Sequence, residues 1–188
     1  MKKNLFLLVM ASFALFTVTA QTRYVTSSGQ AVIYSHTAAE DISAKNNTVS
    51  GVINSSTGDI AISLPVQSFQ FEKALMQEHF NNGNFMDSKQ FPRITLKGKI
   101  TNLAAVNFSK NGKYEAVVSG DLTIKGTTKP ISEKATIEVN NGNISVASKF
   151  VVKEIGSYGV GKPKGKMKNN VADDIEVTYT ATYGKGDN

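Results

Sequence analysis

Apolar and polar residues alternate with period two along most of this chain. In GDIAISLPV, Ile60, Ile62, Leu64 and Val66 fall on one side, and Ala61 and Ser63 on the other. RITLKGKI sets Ile94, Leu96 and Ile100 against Thr95, Lys97 and Lys99. YEAVVSGDLTIKG carries Ala116, Val118, Gly120, Leu122 and Ile124 on one face, and ATIEV carries Ala135, Ile137 and Val139. In DIEVTYTATY the apolar side is Ile175, Val177, Tyr179, Ala181 and Tyr183. Alternation with one wet face marks antiparallel sheet. Weaker segments near residues 31–35, 48–53 and 144–152 bring the total to about eight or nine strands.

Turn residues separate these runs: Thr57-Gly58-Asp59, Lys110-Asn111-Gly112 and Asn140-Asn141-Gly142-Asn143. The last two contain Asn-Gly, a hairpin signal. One all-β domain follows, as a barrel or a sandwich. About eight long strands with no blunted edge favour closure, because open edges template aggregation.

Residues 71–98, FEKALMQEHFNNGNFMDSKQFPRITLKG, break the alternation. Residues 71–80 lack Pro and Gly and are rich in helix formers, so a short helix is expected there. Phe71, Ala74 and Leu75 share one side at 100° per residue, and Met76 and Phe80 lie nearly opposite. A helix greasy on two sides is wedged between protein layers, or touches protein on one side and a ligand on the other. Asn81-Asn82-Gly83-Asn84 ends it, with Gly83 suited to a left-handed cap. A helix that merely closes a barrel end with its side chains in the core fits the pattern equally well.

The start of the chain is of another kind. MKKNLFLLVMASFALFTVTA has a basic beginning, an apolar core and small residues before Ala20, the features of a secretory signal peptide cut between Ala20 and Gln21. An uncleaved anchor would have to use an apolar core shorter than a spanning helix usually needs. Export to the periplasm or medium is therefore expected, with residues 21–188 as the mature domain. That domain has 19 basic and 15 acidic residues, a mild excess that argues only for solubility and weak attraction to anionic surfaces. The chain has no cysteine, which excludes thiol catalysis, zinc-thiolate sites and iron–sulfur clusters.

Further chemical signals are sparse. His36 and His79 stand far apart without companion ligands, so no metal site is expected. No G-x-S-x-G elbow or serine–histidine–acid set stands out, and no catalytic residues or cofactor are assigned. The run GKPKGKMKNN, residues 161–170, is either a solvated loop or a patch for transient contact with a phosphate head group or anionic membrane. It lacks interleaved aromatics, so nucleic acid is not an expected partner.

Two ordered motifs carry a resemblance. Met76-Gln77-Glu78-His79-Phe80, Phe85-Met86 and Phe91-Pro92 precede an I-x-L-K-G strand, and Gly120-Asp121-Leu122-Thr123-Ile124-Lys125-Gly126-Thr127-Thr128-Lys129-Pro130-Ile131 follows. A weaker third lies at Ile155-Gly156-Ser157-Tyr158-Gly159-Val160 with the late Asp173-Asp174-Ile175-Glu176-Val177. Together they resemble the YceI-like family of exported bacterial proteins. Two stretches depart from the family pattern: VIYSHTAAEDISAKN is smaller and more polar, and Lys153-Glu154 stands before the late glycine.

The resemblance implies a lipocalin-like antiparallel barrel of about eight strands, with the helix inserted near residues 70–80. Its apolar interior would hold a polyisoprenoid, fatty or similar long-chain lipid. Phe71, Leu75, Met76, Phe80, Phe85 and Phe91 would line or gate that interior. The inward strand residues would be Ile94, Leu96, Leu122, Ile124, Val177 and Tyr179, by polarity. A barrel of the same fold with a filled interior, serving as an interaction or stress-related module, stays open as the alternative.

Overall fold

The computed structural model describes residues 22–37, 40–161 and 172–186. The expected leader and the lysines of residues 162–170 lie outside the described residues. The described residues form nine strands: β1 (Arg23–His36), β2 (Asp41–Asn54), β3 (Asp59–Pro65), β4 (Gln70–Phe71), β5 (Arg93–Ile100), β6 (Gly112–Ile124), β7 (Thr127–Asn140), β8 (Asn143–Val152) and β9 (Ile175–Lys185). The one α-helix among the described residues, α1, spans Ala74–Asn81. Around the sheet the order is β1-β9-β8-β7-β6-β5-β3-β2, and β2 pairs back to β1, closing an eight-stranded antiparallel barrel. The two-residue β4 adds to β2 opposite Ala44 and Lys45. Strands of 14 residues, tilted as barrel strands are, make a wall about 35 Å tall.

The alternation read from the sequence is the inward face. Ile60, Ile100, Ala116, Leu122, Ile124, Ile137, Val139, Ile175, Tyr179, Ala181 and Tyr183 are all buried. Asn141 and Gly142 take φ of 49° and 83° and turn β7 into β8, as Asn-Gly predicts. Asn111-Gly112, expected as a second hairpin, is not one. β5 and β6 are joined by residues 101–111, which carry Leu103, Val106 and Phe108 under the barrel. Phe108 stacks on Tyr24 at 5.7 Å, and this apolar plug holds the long connection.

Two local features shape the wall. Gly98 and Gly120 stand directly opposite each other on the inward faces of β5 and β6. A Cβ on Gly120 would lie 2.3 Å from the Lys97 carbonyl oxygen and 2.4 Å from the Gly98 Cα, so these strands pack backbone to backbone where the sheet bends. At the β1–β2 register shift, fully buried Asn46 donates to the Pro65 carbonyl (2.8 Å) and accepts from the Thr48 N–H (2.9 Å). Asn46→Ala removes both hydrogen bonds at a fully buried position. It is expected to cost about 1–3 kcal/mol, read as a lower Tm in thermal unfolding. An unchanged Tm would show that water replaces the side chain there.

Candidate functional site

Core packing divides into two clusters, one around Tyr24, Ile137, Ile144 and Tyr183, the other around Val66, Met86, Leu122, Val152 and Tyr158. Between and beside them lies a cavity of about 310 Å³. That is at the lower end of the range for small-molecule sites. Its lining is overwhelmingly aliphatic and aromatic, with Tyr34, Glu40 and His79 among its few polar members.

The helix and the loop behind it cover this space. Glu40 pairs with Lys73, tying the start of α1 to the β1–β2 connection. The Phe71 N–H donates to Gln77 Oε1 (3.1 Å), and the Met86 N–H donates to the Phe80 carbonyl (3.0 Å). The loop thereby folds back so that Phe85 and Met86 join Met76 and Phe80 over the cavity. Phe80 sits against Phe71 and Phe69, with ring centroids 4.9 and 5.5 Å apart. Lys125 fastens the cover: its ammonium donates to the Gly83 carbonyl (2.9 Å) and the Gly159 carbonyl (3.0 Å). Burial lowers the Lys125 pKa, with nearby Asp87 acting the other way.

Ten of the twelve residues singled out in the sequence line the cavity. From the cover these are Phe71, Met76, Phe80 and Phe85; from the wall, Ile94, Leu96, Leu122, Ile124, Val177 and Tyr179. Leu75 and Phe91 are not among the lining residues. Leu75 is 62% exposed on the outer side of α1. Its grouping with Phe71 assumed one continuous helix, but Phe71 belongs to β4 and the helix begins at Ala74. Phe91 instead covers the β6–β7 turn, where a Cβ on Gly126 would lie 2.7 Å from its ring. The helix also ends otherwise than expected: Asn82 is extended (φ −76°, ψ 169°), and its N–H donates to the His79 carbonyl.

Two features of the site were missed in the sequence. β7 pairs with β8 only from Thr136 to Asn140, so the two strands part above Thr136 while each keeps its other neighbour. Ser148 bridges the fork by donating to the Lys134 carbonyl (2.6 Å), and Glu133 and Phe150 reach the cavity there. Pro130 lies in this half of β7, and a proline inside a strand signals a free edge. The second feature is the hydrogen bond between the phenol oxygens of Tyr179 and Tyr183 (2.6 Å) at the cavity floor. Tyr183 closes the strand alternation, which marks it as inward-facing without revealing its partner. Burial raises the pKa of both phenols. For Tyr179 the neighbouring Tyr183 adds to the rise, whereas for Tyr183 the shared hydrogen bond partly opposes it. Both are neutral at any ordinary pH.

Known proteins share this architecture. A polyisoprenoid binding domain from Saccharophagus degradans, implicated in plant cell wall breakdown, superposes with a TM-score of 0.73 at 12% identity, covering 88% of this chain and 99% of that one. BcnA of Burkholderia cenocepacia gives 0.67 at 18% identity, over 82% and 95%. The YceI protein of Campylobacter jejuni gives 0.54 at 15% identity over the whole of both chains. Among proteins of curated function, none matches this sequence. The family model for the YceI-like domain matches residues 16–183. The chain therefore belongs to the YceI-like family.

Proposed function

We propose that this protein is an exported carrier that holds a polyisoprenoid or similar long-chain lipid inside its barrel, for transport, storage or sequestration. The observation that carries the reading is the covered apolar cavity, with aromatic and methionine side chains over it and aliphatic walls around it. Each isoprene unit buried there contributes roughly 3–4 kcal/mol gross, at about 0.8 kcal/mol per carbon group. A few units therefore hold a ligand even after ordering costs. Met76 and Met86 supply flexible contacts that conform to branched chains. Binding rather than catalysis is what such a lining supports. Membership of the YceI-like family and the fold shared with a polyisoprenoid binding domain support the same reading. Export rests on the leader-like first twenty residues.

The test places a charge in the cover. Phe80 is only partly buried, so Phe80→Asp should fold, yet it sets a carboxylate against the lipid chain. Lipid recovered by organic extraction from the purified variant should fall to background. A folded variant with the parental yield would remove the cover from the binding site.

A further inference from the structure

We propose that the hydroxyl pair Tyr179–Tyr183 is a hydrogen-bonding subsite at the cavity floor, and that it receives the uncharged carbonyl end of a long-chain lipid inserted head first. This rests on the lipid reading above and specifies which lipids the barrel takes.

The donor count points to it. Two phenols carry two hydroxyl protons, and a single contact between the oxygens uses one of them. Among the described residues, neither hydroxyl has another hydrogen-bond partner. Tyr183 is fully buried and Tyr179 is 7% exposed, so the spare donor is withheld from bulk water. Leaving a buried donor unmade is unfavourable, and both rings lie on the cavity wall. Room for the arrangement is made by Gly51, where a Cβ would lie 2.6 Å from the Tyr183 oxygen.

The charge environment selects the class of acceptor. Ile53, Ile60, Ile100 and Ile137 belong to the same buried cluster as the pair and line the cavity with it, and the one lysine among the lining residues, Lys134, stands at the fork of β7 and β8. A phosphate or carboxylate brought to this floor would be desolvated without a counter-charge. A ketone, aldehyde, amide or ester oxygen needs one donor and finds it.

The experiment uses two probes with the same C20 prenyl chain, one ending in a methyl ketone labelled with ¹³C at the carbonyl, the other a plain hydrocarbon. Their dissociation constants are measured for the parent, for Tyr179→Phe, for Tyr183→Phe and for the double variant. The parent should prefer the ketone about tenfold, the worth of one buried hydrogen bond. In the double variant that ratio should collapse to one or below, because the buried carbonyl then has no donor. The bound carbonyl stretch should lie below its value in hydrocarbon solvent in the parent, and return to it in the double variant. Equal binding of both probes by the parent would overturn the subsite while leaving lipid carriage intact. A ketone preference that persists in the double variant would place the head elsewhere and also overturn it. Failure of both probes to bind would remove the lipid reading, and the subsite with it.

Discussion

Ala135→Phe is expected to weaken lipid binding at least a hundredfold without destabilising the protein. Ala135 is a small, buried, inward residue on β7 that lines the cavity just where β7 and β8 part. A phenyl ring there occupies the place of about six carbon groups of ligand. Losing burial of only four costs about 3 kcal/mol, more than a hundredfold in Kd. Stability holds if the interior is hollow, because the ring enters space already present. In a filled barrel the same ring is overpacked and costs about 1–3 kcal/mol. Titration with a polyprenol and thermal unfolding of one variant therefore separate the two readings: weak binding with a held Tm means a hollow barrel, and a fallen Tm means a filled one.

Gly120→Val should be among the most destabilising single changes in the wall. Its side chain would have to displace the Lys97 carbonyl or the Gly98 Cα, both backbone atoms of β5 that no rotamer change can move. Overpacking at such a point costs about 3 kcal/mol or more, which lowers Tm by roughly 6–12 °C for a domain of this size. Gly83→Ala provides the contrast. A Cβ there meets only the end of the Asp87 carboxylate, 4.0 Å away, and the change should be within about 0.5 kcal/mol of neutral. If Gly120→Val matched Gly83→Ala in a melting curve, the close approach of β5 and β6 would be wrong.

The parts of this structure that were legible in the sequence are those written in local periodicity. Each inward face could be read because side chains alternate strictly along a strand, and a barrel with a wet exterior exposes every second residue. Ile94, Leu96, Leu122, Ile124, Val177 and Tyr179 reach the cavity for that reason. The cover was legible as an interruption of the pattern. Its geometry was not, because where the helix starts depends on the pairing of β4 with β2. With α1 beginning at Ala74, Phe71 meets the cavity from β4, while Leu75, opposite Met76 and Phe80 on the helix, is left to solvent.

What escaped was non-local. The parting of β7 and β8 depends on which residues find partners across the barrel, and Pro130 was its one local trace. The contact between Tyr179 and Tyr183 depends on two rings meeting across a space that Gly51 leaves open on another strand. The apolar connection at residues 101–111 overrode an Asn-Gly turn signal because Val106 and Phe108 gain more by closing the barrel floor.

The measurement that bears most directly on the hollow, lipid-holding barrel is native mass spectrometry of protein purified without detergent, before and after incubation with a C40 polyprenol. A single added mass per chain that extracts into organic solvent as an isoprenoid or fatty lipid is the predicted result. A bare protein mass that persists at saturating polyprenol would contradict it and leave the filled barrel as the better description.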